Sequence, residues 1–330
     1  MLRVLPCAFC SPDGVCYTDE LAEQLPPGPG RARFDALMAA DSLDADGVAE
    51  LAGLVQRALD GANSDDTPSA SDIESALNAM PAAQGYDDAD GDDLGEGGTI
   101  GGAAANTAPL RQAGLLDYFD PRNALRVASV YQMKDRAGVV GSGGVAALLA
   151  DVLGHAAGPV HLAGHSYGCK VVLSALAAAK SPRPVSSVLL LQPAISHLAF
   201  ATEALAGSAG GYAGVSASIE RSLLMTYSAN DIALHGLFHL ALRRAADVAE
   251  FKIAADGAGE PPSRYAALGG YGPRLSGQQL IGRLPQPGVP SDLPRTPIPT
   301  AFDGSDGQIM GHGDVTTPWT TWLMYLQLRN

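Results

Sequence analysis

Lysine is nearly missing from this chain: of 21 basic residues only Lys134, Lys170, Lys180 and Lys252 are lysines, against 35 carboxylates and a formal charge of −14. No basic cluster occurs anywhere, which removes the electrostatic footprint that a nucleic-acid partner requires. The carboxylate surplus implies a well-solvated surface. Long hydrophobic runs are lacking too. No stretch reaches the roughly 18 consecutive apolar residues of a membrane span, and the opening "MLRVLPCAFC" turns polar too soon for a signal peptide. The expectation is a cytoplasmic protein with no stable membrane insertion, secretion staying open if a leader was trimmed. Cysteine is scarce: Cys7, Cys10 and Cys16 crowd one end and Cys169 lies far off, which is not the layout of a disulfide framework. "CAFC" has C-x-x-C form, yet it has no second pair and no neighbouring histidine. Small buried thiols are expected there rather than a zinc or redox centre.

What the chain does have is length and apolar content. At 330 residues and 46% hydrophobic it can bury a large core. "TDELAEQL", residues 18–25, reads as a helix capped by Thr18. "DSLDADGVAELAGLVQRALDG", residues 41–61, carries the period of an amphipathic helix. Beyond it comes "GYDDADGDDLGEGGTIGGAAANTA", too acidic and glycine-rich to bury the area that would offset its ordering entropy. Residues 41–107 are therefore expected to be an insertion, partly flexible. Its aspartates lack the spacing of a calcium loop.

Order returns at "LRVASVYQM", residues 125–133, whose β-branched and apolar content predicts a strand. A helix follows in "GGVAALLADVLG". Next come the strand "PVHLAG", a helix beginning near Tyr167, and "PVSSVLLLQP", a run too apolar for a strand with one wet face. Such runs belong to parallel sheets covered on both sides. "SLLMTYSAND" and "TPIPTAF" supply two more strands, and "DVTTPWTTWLMYLQL" reads as a closing helix opened by Asp314. Alternating strands and helices predict an α/β fold with a mostly parallel central sheet flanked by helices.

In such a sheet, sites form where strands end and loops enter the next helix. Ser166 stands at that place, in Gly164-His165-Ser166-Tyr167-Gly168. This is G-x-S-x-G between a strand and a helix, the context of a nucleophile elbow. So tight a turn predicts that a Cβ at either glycine would collide with the backbone, while the serine hydroxyl stands clear. The amide of Tyr167, at the helix N-terminus, can face a developing oxyanion.

On these residues the chain resembles the α/β-hydrolase superfamily of serine esterases and lipases, well over roughly residues 126–330, with residues 2–10 standing for an earlier strand. The resemblance implies one hydrolase domain over 1–330, a serine nucleophile, and an acid and a histidine base following it in that order. Of seven histidines, His155, His161 and His165 do not follow the serine, His197 comes too early, and His235 and His239 share a helical face. His312, in the glycine-bounded loop "GQIMGHGDVTTPW", stands where the family places its base. His235 and His239 have metal-ligand spacing, but "HGLFH" lacks the glutamate of a zinc motif, so a satisfied helix face or pocket wall is expected. Asp231, just past "LLMTYS", is the expected acid; Gln192 ends the preceding strand, where some lipases carry theirs. The second oxyanion donor would come from the loop after the first strand. The family usually has His-Gly there and this chain has Cys7-Ala8-Phe9, making the Phe9 amide the candidate.

Residues 197–220 and 232–275 are candidate cap or entrance segments, with His165, Leu234 and Phe238 as candidate pocket walls. The expected partner is a small ester, with no cofactor and no metal. An acyltransferase, thioesterase or amidase with the same three residues, and a non-catalytic interaction protein on the same scaffold, remain alternatives.

Overall fold

A computed structural model describes residues 17–61, 69–79, 120–202, 209–238 and 266–329. The expected strand over 2–10, the cysteines Cys7, Cys10 and Cys16, Phe9, His239 and the acidic run lie outside those residues. The chain divides into two compact units, Met1–Gln132 and Met133–Asn330.

The described residues of the first unit include helices α1 (Tyr17–Glu23), α2 (Pro29–Met38), α3 (Ala45–Gly61) and α4 (Ala70–Ala79). Each of the others packs on α3. The reason is readable in α3 itself, where Val48, Leu51, Ala52, Val55, Ala58 and Leu59 are buried at the 3.6-residue period. Asp44 starts that helix by accepting the Gly47 N–H at 2.8 Å, an N-cap bond. The described part of the expected insertion is thus helical.

Over 125–133 the predicted strand is not found; those residues belong to helix α5 (Arg122–Val140). Ala124, Leu125, Val127, Ala128 and Tyr131 are among its buried positions, spaced as one helical face and not as alternating strand sides. Start signals decide the matter. Asp120 Oδ1 accepts the Arg122 N–H at 2.9 Å, and Pro121 occupies the first turn, where its missing N–H costs nothing. Capping and packing together outweigh a β-propensity worth about 1 kcal/mol across its whole scale. A π-helical turn, Gly141–Val145, joins α5 to α6 (Ala146–His155). A Cβ on Gly141 would lie 2.5 Å from the Val171 carbonyl oxygen, so the glycine permits close contact with the neighbouring helix. By length and composition alone the continuous stretch Arg122–His155 is long and apolar enough to cross a membrane; its Ala146, Leu149 and Leu153 sit in the core of the second unit.

That unit is built on an all-parallel sheet: β1 (His161–His165), β2 (Val185–Leu191), β3 (Ile219–Tyr227), β4 (Gln279–Ile281) and β5 (Pro299–Asp303), in the order β1-β2-β3-β5-β4. It is an α/β architecture. The apolar run of β2 has the expected cause. Val188 and Leu190 point into a core made with α6 and with α7 (Tyr167–Ala178), whereas Leu189 and Leu191 point into another made with α9 (Pro318–Arg329). Neither face of the strand is wet, which favours the apolar residues at five of its seven positions, buried Ser186 and Ser187 being the exceptions. The edge strand β4 and the short helix α8 (Leu268–Tyr271) have no counterpart in the sequence reading.

Candidate active site

Because every strand runs the same way, the loops that follow β1, β2, β3 and β5 all leave from one edge of the sheet. Four residues from those loops meet there.

Ser166 follows the last residue of β1 and precedes the first of α7. Its backbone has φ 53° and ψ −125°, a conformation that L-residues avoid and that must be held by its surroundings. Three bonds hold it. The Ser166 N–H donates to the Leu191 carbonyl at 3.1 Å, and its own carbonyl accepts from Cys169 N–H at 3.1 Å and Ala194 N–H at 3.2 Å. A Cβ on Gly164 would lie 2.8 Å from the Gly168 carbonyl oxygen and 2.9 Å from the Cys169 nitrogen. Gly168 is different, with nothing within 4 Å of its Cβ position. Only one of the two flanking glycines is sterically demanded, which corrects the expectation for both. The turn leaves strand and helix tangent on the Gly164 side alone.

Asp231 comes four residues after the end of β3. The turn between them is tied to the loop after β5, since Ser228 Oγ donates to the Ile309 carbonyl at 2.8 Å and Asn230 Nδ2 donates to the Ser305 and Ile309 carbonyls at 2.8 and 3.1 Å. The Asp231 side chain is fully buried. One carboxylate oxygen, Oδ1, accepts the Leu234 N–H at 3.0 Å, capping the π-helical turn Ile232–Leu237. The other, Oδ2, lies 2.8 Å from His312 Nδ1.

A carboxylate can only accept, so Nδ1 carries the proton and the neutral imidazole presents Nε2 as an acceptor. His312 Nε2 lies 2.8 Å from Ser166 Oγ, and the hydroxyl donates to it. Ser166, His312 and Asp231, named separately from the sequence, form one continuous hydrogen-bonded line across 146 residues of chain.

The backbone of His312 is restrained as well. Its carbonyl accepts from His165 Nε2–H at 2.8 Å and from Gln192 Nε2–H at 2.9 Å, and Gln192 Nε2 donates also to the Gly311 carbonyl at 2.8 Å. Asp314 Oδ2 accepts the N–H groups of Met310 at 2.7 Å and Gly311 at 3.1 Å. Asp314 therefore shapes the histidine loop and does not open the last helix as expected. Thr317 does that, its Oγ1 accepting the Thr320 N–H at 3.2 Å with Pro318 next in line, a stronger start signal than an acid three residues further away.

His165, a candidate pocket wall, is joined through Nε2 to the His312 carbonyl, with the two ring centroids 4.9 Å apart. Burial lowers its pKa, and the nearby His312 ring adds to the effect, so it is a neutral donor. Leu234 and Phe238 are buried. Leu234 packs on α8, where a Cβ on Gly269 would lie 2.5 Å from Leu234 Cδ1. His235 Nδ1 donates to the Gly270 carbonyl at 2.9 Å and its ring stacks on Tyr271, the satisfied packing expected of it. Among the described residues no cluster of three or more His, Cys, Asp or Glu side chains is arranged to hold a metal ion. Tyr167 is the first residue of α7. Gln192 and His165 are the partners of the His312 backbone that the sequence reading missed. The available signal is a polar residue, Gln192, directly after the apolar run Val188 to Leu191.

No family model matches the chain, and no curated protein or solved structure matches it either.

Proposed function

We propose that this protein is a serine hydrolase of the α/β-hydrolase type that cleaves small carboxylic esters. The observation that carries the reading is the continuous line from Ser166 Oγ through His312 to buried Asp231, at 2.8 Å for each bond, with the serine on a strained turn between a strand and a helix.

The chemistry follows from the proton positions. As Ser166 Oγ attacks the ester carbonyl carbon, its proton passes to His312 Nε2, and the imidazolium so formed is stabilised by Asp231. The carbonyl π-electrons move onto oxygen, where the Tyr167 N–H at the start of α7 donates to the oxyanion, a contribution of about 3 kcal/mol for one such donor. Collapse expels the alcohol oxygen, which takes the proton from His312 Nε2 and leaves an acyl-Ser166 ester. Water then repeats the sequence: His312 accepts its proton, the hydroxide oxygen bonds to the acyl carbon, and Ser166 Oγ departs and regains a proton. The carboxylic acid is released.

Labelling with a fluorophosphonate tests this directly. The intact protein is expected to gain one adduct, mapped to Ser166 by mass spectrometry, and to hydrolyse p-nitrophenyl esters. Ser166→Ala is expected to lose both, with turnover reduced at least about 10⁴-fold. Adding alcohol acceptors separates hydrolysis from acyl transfer. Absence of any label on the folded protein removes the reading and leaves the non-catalytic alternative.

A further inference from the structure

Building on the hydrolase reading above, we propose that Gln192 and His165 are positioning residues that hold the His312 backbone so that its imidazole stays in line with both Ser166 and Asp231.

The imidazole of His312 must satisfy two bonds at once, and it hangs from a glycine-flanked loop, Gly311-His312-Gly313, which has little intrinsic reason to keep one conformation. Its carbonyl oxygen is the anchor. Both lone pairs of that oxygen are taken, one by Gln192 Nε2–H at 2.9 Å and one by His165 Nε2–H at 2.8 Å. The same Gln192 amide also holds the preceding Gly311 carbonyl at 2.8 Å, so a single carboxamide fixes two consecutive peptide groups. Its orientation is set by chemistry, because a flipped amide would press Oε1 against two carbonyl oxygens.

The arrangement is expensive, which argues against accident. Gln192 is fully buried, its φ of 41° lies in the left-handed region, and its Oε1 has no hydrogen-bond partner. A residue kept with strain and an orphaned acceptor is retained for what its other end does. Its backbone N–H donates to Thr226 Oγ1 at 3.0 Å on β3, and it directly follows Leu191, whose carbonyl accepts the Ser166 N–H. The anchor for the histidine and the anchor for the serine thus share one strand end. His165 completes the geometry as the residue before the serine, so that any drift of the His312 loop is measured against the serine turn itself. Burial keeps the His165 ring neutral, and no second cation stands beside the imidazolium formed during turnover.

The test uses the full chain and two readouts. One is the downfield proton resonance of the His312 Nδ1–H bonded to Asp231, assigned by its loss in Asp231→Asn; the other is ester turnover normalised to labelled serine. Gln192→Leu combined with His165→Phe is expected to broaden or abolish the resonance by exchange and to lower kcat about 100-fold, with KM changed by less than about twofold. His165→Gln, which keeps an N–H donor of similar reach, is expected to recover turnover to within about threefold of the unsubstituted protein. Gln192→Glu, which puts an oxygen against the Gly311 and His312 carbonyls in place of the N–H donor, is expected to lower kcat and broaden the resonance as the Leu substitution does. A merely structural role would lower the folded fraction and leave the resonance and the turnover per labelled serine of the folded molecules where they were. Should the Leu variant fail to fold, the His165→Phe and His165→Gln pair decides by the same readouts. A sharp, unshifted resonance together with unchanged normalised turnover in the folded variants overturns the proposal. If the unsubstituted protein shows the resonance but neither labels nor hydrolyses esters, the hydrolase reading fails on its own, and the resonance in the variants still decides the positioning roles.

Discussion

Replacing Asp231 by asparagine changes one atom's chemistry at constant shape, and the structure says which way the new side chain turns. In the native protein Oδ1 accepts the Leu234 N–H and Oδ2 accepts the His312 Nδ1–H. A carboxamide can keep only one acceptor. If its NH₂ faced Leu234, two donors would confront each other in a fully buried site, at about 1–3 kcal/mol for the unsatisfied N–H. The amide oxygen therefore stays on Leu234 and the NH₂ group faces His312. His312 Nδ1 must then accept, its proton moves to Nε2, and Nε2–H points at the Ser166 hydroxyl it was to deprotonate. The base is present but in the wrong tautomer. The expected loss in kcat is about 10⁴-fold, or roughly 5 kcal/mol in the barrier. The cap on Leu234 survives, so the unfolding midpoint is expected to stay within a few degrees. The assay is ester turnover on active-site-titrated protein, with thermal unfolding run alongside. Asp231→Asn retaining more than a tenth of native kcat would refute both the tautomer argument and the role given to Asp231.

Two further predictions concern stability. Gly164→Ala places a methyl within 3 Å of three backbone atoms of the next turn and is expected to destabilise by about 2–3 kcal/mol, whereas Gly168→Ala meets open space and is expected to change stability by no more than about 0.5 kcal/mol; thermal unfolding of the pair checks the asymmetry. His197 is buried near Arg274, with burial the larger cause, and its pKa is pushed down from 6.5 to about 4. Above pH 6.5 both folded and unfolded chains hold this histidine neutral; as pH falls toward 4 only the unfolded chain takes up the proton, so stability drops, by about 3 kcal/mol across that window. His197→Gln is expected to flatten the difference in unfolding midpoint between pH 6.5 and 4 by several degrees, and equal slopes for the two proteins would count against it.

How far the sequence could be read depended on whether the deciding contact was local. The apolar run of β2 is legible because burial on both faces leaves its mark at four consecutive positions, Val188 to Leu191. Ser166 is legible from the G-x-S-x-G pattern between a strand and a helix, in which Gly164 alone carries the steric constraint, from atoms four and five residues away. Asp231 and His312 came from chain order and strand ends, a topological cue. In α5 the same kind of local evidence misleads, because Val127 and Val130 suggest a strand while Asp120 and Pro121, which set the helix, precede the apolar segment. Asp314, an acid near a helix, has the look of a cap, yet its carboxylate turns back to Met310 and Gly311. The His165 and Gln192 bonds to His312 span 147 and 120 residues. No spacing rule encodes such contacts, and β4, three residues long with little burial, has no periodicity to detect.

Two of the strained residues of the second unit explain why these long-range contacts had to be built together. Ser166 and Gln192 both have positive φ, at 53° and 41°, and each is the residue immediately after its strand. His165 and Leu191 are partners in the β1–β2 register, so the two distortions stand side by side at the same level of the sheet. Each costs of the order of 1–3 kcal/mol in isolation. They are stitched to one another, Ser166 N–H to the Leu191 carbonyl and Ala194 N–H to the Ser166 carbonyl, so relaxing one requires breaking bonds that hold the other. One distortion presents a hydroxyl and the other a carboxamide, and His312 is the residue on which both converge, through its imidazole and its carbonyl respectively. A strand order that separated β1 from β2 would leave each turn free to relax alone. The adjacency of these two strands, with buried leucines on both faces of β2 supporting them, is what lets a marginally stable fold keep both.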